Sequence, residues 1–126
     1  MILGIGVDVV DNNRIKPLIR KNLFLKRTFA KSEIKISNNI INKTNFFAKR
    51  FAAKESFAKA LGTGFRNNLN FRDIEILNDK IGKPYYLKSR KINEAIYKRF
   101  KIKKYNLFLS ISDEKDYSVA FTILQK

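Results

Sequence analysis

One glutamate inside a cationic, apolar helix constrains this chain more than any other feature. Residues 46–61 read Phe46-Phe47-Ala48-Lys49-Arg50-Phe51-Ala52-Ala53-Lys54-Glu55-Ser56-Phe57-Ala58-Lys59-Ala60-Leu61. A polar break at residues 42–45 precedes them, and Gly62-Thr63-Gly64 supplies a glycine stop. At 100° per residue, Glu55 shares its face with Ala48, Phe51, Ala52 and Ala58. Phe46, Ala53 and Phe57 point elsewhere, so the helix is apolar almost all round and should be covered on several sides. A carboxylate over such a surface needs a cation or a metal as its partner.

The rest of the composition narrows the chemistry. At 126 residues the chain is read as one domain, 1–126, burying about two thirds of its unfolded surface. It has no cysteine, hence no disulfide framework and no thiol nucleophile. It has no histidine, which removes the commonest general base and zinc ligand. A metal site here must be built from oxygen, favouring magnesium, calcium or manganese. No apolar run is long enough to span a membrane, and the first residues do not read as a signal peptide, so a cytoplasmic protein is expected. The net charge of +16 predicts attraction to something acidic. The heavy use of Lys, Asn, Ile and Phe would equally follow from A+T-rich coding.

Along the chain, residues 2–10 alternate as a buried first strand. Leu3, Ile5, Val7 and Val9 point one way; Ile2, Gly4, Gly6, Asp8 and Val10 point the other. The glycines strip the second face, so another backbone or a ligand can approach closely. Asp11-Asn12-Asn13 offers helix caps, with a short basic helix expected through about Lys26. A further short helix should begin at Ser32-Glu33. Residues 71–77 read as a strand, 78–84 as a turn, 85–87 as a return strand, and 92–100 as a helix. Residues 107–112 and 117–124 form a closing antiparallel hairpin. The fold class is α+β.

Three constellations carry possible chemistry. Asp8 and Glu55 converge if the long helix packs across the first strand, and two carboxylates plus phosphate oxygens and water suit magnesium. The plainer alternative has Asp8 capping the next segment and Glu55 paired with Lys59 at i+4. Arg50, Lys54 and Lys59, with Gly62-Thr63-Gly64 and Gly82-Lys83-Pro84, could hold phosphates. They are equally readable as solvated lysines, a helix stop and a basic turn. The basic helix with Arg14, Arg20, Lys21, Lys26 and Arg27 among Leu18, Leu23 and Phe24 could dock an acidic partner, or simply turn its apolar side to the core.

Taken together these segments resemble the holo-acyl-carrier-protein synthases, small bacterial 4'-phosphopantetheinyl transferases. The resemblance lies in Met1-Ile2-Leu3-Gly4-Ile5-Gly6-Val7-Asp8-Val9-Val10 with Arg14-Ile15, and in Arg50-Phe51-Ala52-Ala53-Lys54-Glu55 running to Lys59-Ala60-Leu61-Gly62-Thr63-Gly64. Asp73-Ile74-Glu75-Ile76 with Gly82-Lys83-Pro84, and Ser110-Ile111-Ser112, complete it. The blocks come in family order over nearly the whole chain. The resemblance implies transfer of the phosphopantetheine arm of coenzyme A to a serine of apo-acyl carrier protein, for fatty acid biosynthesis. It implies that Asp8 and Glu55 hold magnesium and that Lys59 and Arg50 take phosphate oxygens. Gly62, Lys83, Pro84 and Ser112 would help line the nucleotide pocket. Arg14, Phe24 and Arg27 match the segment that docks the acidic carrier. A homotrimer with active sites at subunit interfaces is also implied, around a small antiparallel sheet packed with the long helix. One departure stands out: Asp113 follows Ser112 where the family usually has histidine. It turns away from the phosphates, becomes a further magnesium ligand or a base, or weakens catalysis; Glu55 or a metal-bound water could instead take the serine proton. The rival reading, resting on charge alone, is a basic, non-catalytic nucleic-acid-binding module.

Overall fold

The computed structural model describes residues 1–65 and 69–126. Strand β1 (Ile2–Asp11) opens the chain, followed by three short helices: α1 (Asn12–Leu18), α2 (Asn22–Thr28) and α3 (Lys31–Ser37). The long helix α4 (Lys43–Leu61) comes next. A 3-10 turn (Phe71–Asp73) leads to a small hairpin, β2 (Ile76–Asn78) and β3 (Pro84–Tyr86). Helix α5 (Arg90–Phe100) precedes the closing strands β4 (Asn106–Asp113) and β5 (Tyr117–Gln125). The main sheet is antiparallel with order β1-β5-β4, and β2-β3 forms a second two-stranded sheet.

Helix α4 is the centre of the core. Asn42 caps it, its side chain accepting from the Asn45 amide at 3.1 Å. Gly62 ends it in the left-handed conformation at φ 83°, its amide closing on the Ala58 carbonyl at 3.1 Å. Between these caps Phe46, Phe47, Ala48, Ala52, Ala53, Phe57, Ala58, Ala60 and Leu61 are all buried, as the all-round apolar pattern predicts.

At Gly4 and Gly6 strand β1 lies on α4 with no side chain between them. A Cβ on Gly4 would stand 1.8 Å from the Ala60 carbonyl oxygen, and one on Gly6 1.8 Å from that of Ser56. The pairs Ile5↔Ile123, Val7↔Phe121 and Val9↔Val119 then hold β1 on β5. Behind the sheet, the Tyr86 hydroxyl donates to the Ala53 carbonyl at 2.6 Å and accepts from Thr122 Oγ1 at 2.7 Å. Thr122 also meets Ser56 Oγ at 2.6 Å, so α4, β3 and β5 are joined by a fully buried hydroxyl cluster.

Three expectations need correction. The first strand is buried on one face only. α4 covers the glycine face, while Ile5, Val7 and Val9 are 56%, 50% and 60% exposed because no described element lies over them. The expected basic helix through Lys26 is two helices. The Ile19 amide closes on Ile15 and the Lys21 amide on Leu18, a tightened turn that ends α1 before α2 begins. Residues 71–77 are not one strand. The Asp73 carboxylate accepts the Asn70 amide at 2.9 Å and winds the first part into the 3-10 turn.

Replacing Gly6 with alanine forces α4 and β1 apart. Gly6→Ala should lose about 3 kcal/mol or more, the upper end of ordinary overpacking costs, because the obstacle is backbone. Urea denaturation measures this; an unchanged midpoint would show that the strand and helix are not in direct contact.

Candidate active site

Asp8 follows the two glycines on the same face of β1, two residues beyond Gly6. The close approach that Gly4 and Gly6 permit carries its carboxylate to α4 at the level of Glu55 and Lys59. The Lys59 ammonium donates to Asp8 Oδ1 at 3.1 Å and to the Val7 carbonyl at 3.0 Å. Lys59 is 54% exposed and Asp8 15%, so the pair sits at a cleft mouth. The plainer alternative is thereby excluded in both parts. Asp11, not Asp8, caps α1 by accepting the Asn13 amide at 2.9 Å. Among the described residues Lys59 pairs with Asp8, not Glu55.

Two clefts meet at Glu55 and Lys59. One, of about 400 Å³, is lined by Asp8, Asp11, Arg14, Leu18, Phe51 and Glu55 among others. The second, of about 300 Å³, runs past Ala58 to Gly62, Gly64 and Phe65. Half-buried Glu55 holds its proton more tightly than an ordinary carboxyl. Burial is the main cause, repulsion from Asp8 adds to it, and Lys59 opposes it. The two acids are therefore close enough to feel each other's charge. Two carboxylates in one cleft, one half desolvated, make a donor set that a divalent cation satisfies. No group of three or more metal-ligating side chains occurs among the described residues, so further ligands would come from substrate or solvent.

Arg50 and Lys54 are not in this site. Sequence spacing offered them to phosphate, but they lie on the covered side of α4, where Glu33 meets both. Lys54 Nζ donates to Glu33 Oε1 at 2.7 Å, and to the carbonyls of Phe71 at 3.0 Å and Ile74 at 2.6 Å. Arg50 Nε stands 3.3 Å from Glu33 Oε2, while Nη2 donates to Asn78 Oδ1 at 2.9 Å. Burial pulls both cations below their ordinary pKa, and Glu33 opposes that pull. All three side chains are buried; Arg50 Nε faces Glu33 without a hydrogen bond of its own, and neither cation lines the cleft.

The other expected residues divide by position. Gly62 lines the second cleft, while the Thr63 hydroxyl turns to the Gly64 carbonyl at 3.4 Å. Arg14 lines the first cleft, and Phe24 is linked to it by stacking on Phe51 with centroids 6.4 Å apart; Arg27 is exposed on α2. Lys83, Pro84 and Ser112 line neither cleft. Asp113 is held away from Glu55 at the opposite end of α4, where its Oδ2 accepts a hydrogen bond from the Asn45 side-chain Nδ2 at 3.0 Å. Ten residues of helix separate Asn45 from Glu55, about 15 Å of rise. Sequence reasoning missed Phe65, which stacks on Phe71 at 3.8 Å and walls the second cleft; an aromatic just after the glycine stop was its only signal.

Residues 4–122 match the model of the 4'-phosphopantetheinyl transferase superfamily. The chain belongs to that family. A holo-[acyl-carrier-protein] synthase from Pelagibacter ubique is 58% identical over 125 residues, spanning 99% of this chain and 98% of that protein. The crystal structure of the Neisseria meningitidis holo-[acyl-carrier-protein] synthase superposes with TM-score 0.89 at 38% identity, covering all of both chains. The Bacillus anthracis synthase in complex with CoA (3',5'-ADP) superposes with TM-score 0.82 at 35% identity over 99% of this chain and 97% of that one. The α+β transferase fold expected from sequence is therefore the fold of the chain.

The raised proton affinity of Glu55 has a stability consequence. The folded state binds that proton more tightly than the unfolded chain, so stability falls as pH rises from the ordinary value of 4.5 through the raised one. Without divalent cation, Glu55→Gln should unfold at higher denaturant than the parent at pH 7, and the gap should close below about pH 4. A variant less stable than the parent at pH 7 would mean that Glu55 is satisfied without a ligand.

Proposed function

We infer that this chain transfers the 4'-phosphopantetheine group of coenzyme A to a serine of apo-acyl carrier protein, releasing adenosine 3',5'-bisphosphate. The observation that carries this is the meeting of Asp8, Glu55 and Lys59 at one cleft within a chain that aligns end to end with holo-acyl-carrier-protein synthases. The serine oxygen forms the new bond to the phosphorus that bears pantetheine. The bond from that phosphorus to the bridging oxygen breaks, and the nucleotide leaves with the electron pair.

Asp8 and Glu55 would hold magnesium, which when bound neutralises charge on the pyrophosphate oxygens. Lys59, exposed at the cleft mouth, offers a cation to a phosphate oxygen. Gly62 leaves its side of the second cleft open for the nucleotide. With no histidine in the chain, Glu55 is its own best candidate to accept the serine proton. Arg14, Phe24 and Arg27 present two cations and a ring to an acidic carrier. Synthesis of fatty acids in the cytoplasm is the setting this reaction fits, and no described helix is long and apolar enough to cross a membrane.

We further infer a homotrimer with shared active sites. Two observations support it. The uncovered face of the main sheet is apolar, with Phe108 and Phe121 49% and 39% exposed beside the β1 valines, and it carries no lysine or arginine. Lys83, Pro84, Ser112 and Asp113 lie outside the clefts of their own chain, so they reach a nucleotide only if a neighbouring copy supplies them. The same face argues against the nucleic-acid module, whose stacking platform needs cations among its rings.

Incubation with coenzyme A, magnesium and apo-carrier should raise the carrier mass by about 340 Da, one phosphopantetheine group. Asp8→Asn and Glu55→Gln should each slow this at least ~1,000-fold, as loss of a metal clamp does. No gain at high enzyme concentration would remove the assignment. In sedimentation equilibrium the parent should weigh three times its 14.7 kDa chain, and Ile5→Asp with Phe121→Asp should give single chains. A parent running as single chains would overturn the shared site.

A further inference from the structure

A second basic feature lies outside both clefts. Between α2 and α3 runs an open groove of about 550 Å³, lined by Lys26, Lys31, Lys35 and Arg72 around Phe29 and Ile34. No carboxylate lines it, and none of its four cations has an acidic partner within ion-pair distance among the described residues. Two acids on the same elements are engaged elsewhere. Glu33 is buried against Arg50 and Lys54, and Asp73 accepts the Asn70 amide. Four unpaired charges of one sign around an apolar floor make a positive field that attracts an acidic occupant, the more so at low salt.

The arrangement favours an extended occupant over a point anion. Lys31 and Lys35 stand one helical turn apart on the same face of α3, with Lys26 on α2 and Arg72 on the 3-10 turn. Donors spread over three elements suit several carboxylates on one partner better than a single small anion. Ring contacts also connect the floor of the groove to the wall of the active cleft. Phe51, a wall of that cleft, stacks on Phe24, and Phe24 meets the groove floor at Phe29 edge-on with centroids 6.0 Å apart. Floor and cleft wall are two ring contacts apart.

We propose that this groove is a second docking surface for the acidic carrier protein, holding carboxylates of the carrier beyond those that meet Arg14, Phe24 and Arg27. The proposal rests on the transferase reading above. Its contribution is to carrier affinity and not to the chemical step, since no groove residue reaches the Asp8–Glu55 cleft.

The test compares two charge-reversed forms of the full chain. One carries Lys31→Glu, Lys35→Glu and Arg72→Glu; the other reverses Lys91, Lys98 and Lys104 on and beyond α5, an equal change in net charge. The groove form should raise KM for apo-carrier about tenfold or more, with a shallower salt dependence, and leave KM for coenzyme A unchanged. The α5 form should leave carrier KM within about twofold. Equal effects from both forms, or none from the groove form, would overturn the proposal while the parent's mass transfer still stands. Lysine acetylation gives a readout independent of turnover. Carrier should protect Lys31 and Lys35 in the parent; protection by an oligonucleotide but not by carrier would also overturn it.

Discussion

The direct seating of a strand on a helix governs everything else in this molecule. β1 and α4 touch backbone to backbone at Gly4–Ala60 and Gly6–Ser56. That contact lets Asp8, on an extended strand, reach an ammonium in the last turn of a helix that begins more than thirty residues later. It also forces α4 to be lined with small residues where the strand crosses. Any side chain at Gly4 or Gly6 separates the two elements, and the acids that share the cleft separate with them.

Helix α4 divides its charges between two duties. On its covered side Arg50 and Lys54 close on Glu33, whose oxygens also accept the Ala30 amide at 2.9 Å and the Ile76 amide at 3.4 Å. This one carboxylate ties α3, α4 and β2 together. It is a rigidifying hub, costly to break by removing a single partner. On the open side Glu55 is half desolvated beside Asp8, an arrangement that weakens the empty fold and suits a cation. The stable half positions the strained half, a common division of labour between scaffold and site.

The sequence made the site legible where local pattern was sufficient. Gly4, Gly6 and Asp8 share one strand face, and Glu55 sits on a face of small residues; that pattern allowed convergence but left the cap-and-pair alternative open, and the ordered family motifs favoured convergence. The fates of Arg50 and Lys54 could not. A cation on a helix looks the same whether solvated or buried, and the deciding partner, Glu33, is far away in the chain. A signal existed: Glu33 is the only acid between Asp11 and Glu55 in a strongly cationic stretch. β1 misled for another reason. Ile5, Val7 and Val9 read as core because they are apolar, but no described element of the chain lies over them. Residues 71–77 misled because their apolar spacing outweighed the Asn70–Asp73 turn signal.

A crystal structure with coenzyme A and manganese, read by its anomalous signal, tests the central claim most directly. The account predicts one strong peak within about 2.3 Å of an Asp8 oxygen and a Glu55 oxygen, with a pyrophosphate oxygen completing the contact. A peak that touches the pyrophosphate but neither carboxylate would contradict it.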